Sequence, residues 1–189
     1  MPCRFSRILC VLSTVLTLHA WSWTQQSAID LNGHALDPLA MSSGKVVVLV
    51  FLRRDCPVSG RYAPVIQRLS REYADHAKFW LVYPDKTDSV EAIRKNVADF
   101  GYQMPALRDP AHTLVKLGRV QITPEVAVFG QDRHLIYDGR IDDWYVSFTR
   151  ARPAATTHEL EDAIRAGIDG KPVEKNEVRG VGCYISDLD

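Results

Sequence analysis

The stretch VVVLVFLRRDCPVSGRYAP, residues 46–64, joins two patterns at one cysteine. Val46 to Leu52 is apolar at successive positions, not alternating, as expected of a strand buried on both faces in a helix-covered parallel sheet. From Pro57 onward, Val58, Tyr62, Ile66, Leu69 and Tyr73 recur along one face of a helix. Pro57 suits a first-turn position, where its missing N–H costs nothing, and Pro64 should kink the helix. Cys56 therefore falls at a strand–helix junction. A helix start offers free N–H groups and partial positive charge, which stabilise the thiolate, the nucleophilic form. Arg53, Arg54 and Arg61 would add to this if they point inward, and Asp55 would oppose it. The competing reading is a small buried residue at a strand end.

Working outward, KFWLVYP (Lys78–Pro84) reads as a second buried strand. DSVEAIRKNVADFGY reads as a helix capped by Asp88 or Ser89 and ended by Gly101. MPALRDP is extended, and AHTLVKLG is a short helix closed by Gly118. EVAVFG and HLIYDGRI alternate around a GQDR turn, the pattern of an antiparallel hairpin. THELEDAIRAGIDG is a last helix, with Thr156 or Thr157 as cap and Glu159 or Glu161 in its first turn. Ahead of the core strand, SAIDLNGHALDPLAMSSGK reads as a loop or short hairpin. The order predicts an α/β fold, a mixed central sheet flanked by helices on both faces. One domain at residues 25–170 is expected, then a polar tail at 171–189 that carries Cys183.

The 189 residues carry 23 Lys plus Arg and 23 Asp plus Glu, a formal net charge of zero that argues against a nucleic-acid partner. Residues 1–22 read as a signal peptide: basic MPCRFSR, apolar ILCVLSTVLTLHAW, then Ala20 and Ser22 spaced for cleavage. The apolar run is shorter than the roughly 20 residues that span a bilayer. A periplasmic or secreted protein without stable membrane insertion follows, tethered only if the segment is not cleaved. Cleavage removes Cys3 and Cys10. Cys56 and Cys183 remain, as a disulfide, a redox pair or metal ligands.

FLRRDCPVSGRYAP resembles the active-site segment of thioredoxin-like proteins, F-x(4)-C-x-x-C-x(3)-A-P, with Phe51, Cys56, Ala63 and Pro64 in register. QITPEVAVF (Gln121–Phe129) resembles the segment whose cis-proline faces the active cysteine; here that proline is Pro124, after Thr123. FGYQMPALRDPAHTLVKLG resembles the insertion of the redoxins, the branch holding the AhpC/TSA- and TlpA-like thiol proteins. The likeness spans about Lys45 to Ile168. It implies a thioredoxin-like fold, Cys56 as nucleophile, supporting roles for Pro57, Ser59 and Arg54, and a Thr123–Pro124 backbone that docks a partner.

Three positions depart from the resemblance. Ser59 replaces the second cysteine, so it can hydrogen-bond the Cys56 thiolate but cannot form a disulfide. Val50 stands where thioredoxins keep a buried carboxylate. In the peroxiredoxin pattern P-x-x-x-[ST]-x-x-C, Leu49 replaces the proline and Arg53 the Ser/Thr. A mixed disulfide on Cys56 persists until another thiol resolves it. Cys183 lies fifteen residues beyond Ile168, a reach of at most about 50 Å, against a domain about 30 Å across. It can return to the active-site end as a resolving cysteine or as half of a permanent structural disulfide.

The expected activity is thiol–disulfide exchange with exported protein thiols or disulfides, using Cys56 and Cys183 without a cofactor or metal. One alternative is a peroxiredoxin-like antioxidant acting on a small peroxide. Another is a non-catalytic binding module or copper metallochaperone, since two thiolates can hold Cu(I), although His34, His76, His112, His134 and His158 show no ligand spacing. YDGRIDDWY (Tyr137–Tyr145) reads either as a wall of the substrate groove or as a polar loop with an aromatic lid. No Ser-His-Asp set, Walker loop or dinucleotide fingerprint is present.

Overall fold

The computed structural model describes residues 28–42, 44–174, 177–186 and 188. The expected signal peptide, with Cys3 and Cys10, lies outside the described residues. The described part of the chain opens with a hairpin, β1 (Ala28–Asp30) and β2 (Ala35–Leu36). The apolar run becomes β3 (Val46–Phe51), buried at all six positions. Next come α1 (Pro57–Arg61), α2 (Ala63–Glu72) and β4 (Ala77–Tyr83). α3 (Val90–Asp99), β5 (Ala106–Arg108) and α4 (Thr113–Gly118) follow. β6 (Ile122–Thr123) and β7 (Glu125–Phe129) flank Pro124, and β8 (Leu135–Gly139) completes the expected hairpin. A small ribbon, β9 (Tyr145–Ser147) and β10 (Arg150–Ala151), precedes α5 (Glu159–Asp169). The tail adds β11 (Glu177–Val178) and β12 (Cys183–Tyr184).

The main sheet runs β11-β8-β7-β3-β4-β5-β1-β2. β3 lies at its centre, parallel to β4 and antiparallel to β7. Side chains of a strand alternate between faces. Val46, Val48 and Val50 accordingly join Ile66 and Leu69 of α2, Ile93 of α3 and Leu160 and Ile164 of α5. Val47, Leu49 and Phe51 join Leu114 and Val115 of α4 on the opposite face. Helices on both faces explain why β3 has no polar position. Among the described residues no helix is long and apolar enough to cross a membrane.

The proline-bearing helix breaks as expected: α1 ends at Tyr62 and α2 carries Pro64 in its first turn. A proline there gives no N–H to Gly60 and cannot continue one straight helix. Ser89 caps α3 by accepting from the Ala92 N–H at 3.2 Å, and Gly101, at φ 66°, follows its end. Two expected helix ends differ. Gly118 does not close α4; Arg119 does, at φ 55°. Gly118 serves packing, since a Cβ there would meet Ala127 Cβ at 2.8 Å and the Phe51 ring at 3.3 Å. Neither Thr156 nor Thr157 caps α5, whose N-cap is His158. Both threonines instead bind Asp143, with the Thr156 hydroxyl and both N–H groups donating to its carboxylate.

The YDGRIDDWY segment is largely internal: Asp142 and Asp143 are both buried. The Tyr62 hydroxyl donates to Asp142 Oδ1 at 2.6 Å, and its ring meets Trp144 edge-on, centroids 5.6 Å apart. The segment thus pins the α1–α2 junction to the start of α5. The tail is not a loose extension. β11 pairs in parallel with β8, and β12 pairs antiparallel with β6, opposing Cys183 to Thr123 and Tyr184 to Ile122.

Candidate active site

Cys56 is the N-cap residue of α1 and Pro57 its first helical residue. The strand–helix junction buries the cysteine to 3% exposure, beside Ser59, which is also buried. Burial pushes the Cys56 thiol upward, but hydrogen bonds outweigh it and lower its pKa below the ordinary thiol value. The donors are the Cys183 thiol, the Ser59 N–H and hydroxyl, and the Val58 N–H. Two of these are free N–H groups of the helix start, and the Cys183 thiol is the strongest of the donors.

In its protonated form Cys56 donates to the Thr123 carbonyl at 3.3 Å. Thr123 is fully buried, and the Thr123–Pro124 bond is cis. The backbone of Thr123 is already engaged: it is the register partner of Cys183, and the Thr123 hydroxyl donates to the Cys183 carbonyl at 3.2 Å. The tail therefore brings Cys183 against Cys56, both with free thiols. Burial, then the hydrogen bond to Cys56 and its negative charge, push the Cys183 thiol up to about 12, with Arg53 pulling the other way. The two thiols are thus shifted in opposite directions, with the Cys183 thiol donating to the Cys56 sulfur.

The arginines are committed elsewhere in part. Arg54 Nε donates to Asp88 Oδ1 at 2.7 Å, and the Asp88 carboxylate is 3% exposed. Arg53 pairs with Asp55 at 2.7 Å. The largest contributions lowering the Cys56 thiol come from thiol, backbone and hydroxyl donors. Arg54, Asp55, Cys56, Pro57, Gly60, Arg61 and Phe100 line an open groove of about 330 Å³.

One residue at this site escapes the sequence reading: Glu125, next after Pro124. It has no solvent exposure. Its carboxylate accepts the N–H of Gln121 at 3.2 Å, of Ile122 at 3.3 Å and of Gly180 at 2.7 Å. The available signal was a charged residue opening the otherwise apolar strand EVAVF. Among the described residues no group of three or more His, Cys, Asp or Glu side chains is arranged to hold a metal ion.

A central mixed sheet with helices on both faces, and a cysteine-capped helix at the end of its middle strand, place the chain in the thioredoxin-like fold class. Within that class the chain belongs to the AhpC/TSA family, which matches residues 22–138. Cys56, Ser59, Thr123 and Pro124 lie inside the matched segment and Cys183 beyond it. None of the curated proteins matches the chain. Among solved structures, an uncharacterised conserved protein from Geobacillus kaustophilus shares 23% identity over 84% of this chain and 86% of its own, with TM-score 0.71. A hypothetical protein from Sinorhizobium meliloti shares 20% over 84% and 88%, with TM-score 0.70. A secreted disulfide oxidoreductase of Mycobacterium tuberculosis, homologous to E. coli DsbE, shares 20% over 75% and 96%, with TM-score 0.55. At these identities the likeness is one of fold.

Proposed function

We propose that the protein is an exported thiol–disulfide oxidoreductase in which Cys56 is the nucleophile and Cys183 the resolving thiol. The observation that carries this reading is the pairing of a hydrogen-bonded, pKa-lowered Cys56 with a protonated Cys183 brought to it by β12. The Cys56 thiolate attacks a partner disulfide, forms a mixed disulfide and expels one partner thiolate. Loss of the Cys56 charge removes one force holding the Cys183 proton. The expelled thiolate accepts that proton, and Cys183 attacks the Cys56 sulfur. The second partner sulfur leaves, and the Cys56–Cys183 disulfide forms. Two electrons pass to the partner, and the same steps reversed oxidise a partner dithiol. Ser59 and Pro57 serve by shaping the helix start that holds the thiolate. Export is supported by the leader-like residues 1–22 and by the secreted M. tuberculosis protein of the same fold.

Family membership also favours a second reading, peroxide reduction at Cys56. Leu49 and Arg53 at the peroxiredoxin positions weigh against it. Mass measurement after thiol alkylation, across a series of redox buffers, tests the first reading. A Cys56–Cys183 disulfide that opens at moderate potential supports it. Two free thiols throughout, or a disulfide that resists strong reductant, would sink it. Rapid peroxide consumption with sulfenic acid on Cys56 would favour the second reading.

A further inference from the structure

The tail strand β12 is two residues long, yet it occupies the β6 edge beside Cys56 in a fixed register. Contacts beyond the ladder hold it there. The Ile185 N–H donates to the Gln121 carbonyl at 2.9 Å, and the Ile185 side chain, 7% exposed, packs with the α4-face core. Gly182 lies so close to β6 that a Cβ would stand 2.0 Å from the Thr123 oxygen. The Gly180 N–H donates to Glu125 Oε1. The other Glu125 oxygen holds the Gln121 and Ile122 N–H groups, the backbone leading into Thr123–Pro124. A single buried carboxylate thus ties the loop that faces Cys56 to the segment that covers it. A buried charge is costly unless hydrogen bonds satisfy it, and this one has three backbone donors, one of them from the tail.

We propose that Glu125 is the positioning residue of this site: it fastens residues 180–185 over the β6 edge, so that Cys183 lies beside Cys56 and a partner strand pairs with the backbone of Thr123 only by displacing the internal one. The purpose of such a strap rests on the thiol-exchange reading above; its existence does not. Thr123 then docks an outside cysteine-bearing strand by exchanging it for the internal one. At rest Cys56 is both stabilised by Cys183 and shielded with it.

The test is the alkylation of Cys56 by N-ethylmaleimide in the full chain, read by peptide mass across a pH series. The high-pH plateau reports access and the inflection reports the hydrogen bond from Cys183. Gly182→Ala pushes the strand off β6 without touching Glu125 or either cysteine. Glu125→Gln removes one carboxylate acceptor. Both variants should raise the plateau at least tenfold and move the inflection upward, with cooperative unfolding retained. If Glu125→Gln does not fold, Glu125→Asp, which withdraws the oxygens by one methylene, takes its place. A folded Gly182→Ala protein with the wild-type plateau overturns the strap. An opened Gly182→Ala with a folded, closed Glu125 variant overturns the role of Glu125. Insulin disulfide reduction separates the two proposals. Wild type that is shielded from the probe, while neither it nor Gly182→Ala exchanges with insulin, removes the oxidoreductase reading and keeps the strap. Equal exchange by wild type and Gly182→Ala removes the strap and keeps that reading.

Discussion

Cys56 titrates against two opposed pulls, burial and hydrogen bonding, and hydrogen bonding prevails. A lowered thiol pKa brings the thiolate in at lower pH than an ordinary thiol, so the alkylation rate should rise with pH through an inflection below the ordinary thiol value. The sign for folding follows: stabilisation by the thiolate is complete above the ordinary thiol pKa and is lost as pH falls through the lowered one. Cys183, held at about 12, stays protonated across that window. Cys183→Ala removes the strongest of the donors, and the inflection should move upward; an unchanged inflection would show that the helix start alone holds the thiolate. Ser59→Cys restores a second thiol within the first turn. Peptide mapping after mild oxidation should then find a disulfide between positions 56 and 59 in place of the Cys56–Cys183 pair.

At the scale of elements, the α1–α2 junction hangs on Tyr62, whose hydroxyl reaches the buried Asp142. Tyr62→Phe should cost about 1–3 kcal/mol in urea unfolding, because the buried Asp142 carboxylate loses one of its two donors and keeps only the Trp144 N–H. Leu49→Ala at the centre of β3 should cost about 2–5 kcal/mol, since the site is enclosed on both faces. The two substitutions test elements of different legibility. β3 and β4 were readable because an uninterrupted apolar run has few other homes. The Cys56 junction was readable because strand and helix periods change at that residue. The end of α4 was misread because Gly118 serves close packing against Ala127, and a glycine's letter does not distinguish packing from a left-handed turn. The caps of α5 were misread because Thr156 and Thr157 answer to Asp143, distant in sequence. The sequence showed that the tail could return and that a charge opens EVAVF, but not that the two meet: the hydrogen bonds span residues 121–125 and 180–185, and no local pattern encodes such a pairing.

For the whole molecule, a Cys56–Cys183 bond would close most of the described chain into one loop. In the chain-entropy model such a closure stabilises by about 4–5 kcal/mol. The oxidised protein should therefore unfold at higher urea than the reduced one, by no more than that amount if the native state is strained by the bond. Equal midpoints would show that the bond distorts the native fold as much as it restrains the unfolded chain. The tail has a second anchorage, β11 along the outer side of β8 at Asp138 and Gly139. An uncovered strand edge is a template on which another molecule can add its own strand. Removing the residues after Gly170 would bare that edge in every copy at once. The shortened chain should self-associate with rising concentration, as light scattering would show, so solubility and redox chemistry are carried by the same few residues and deletion of the tail would confuse the two.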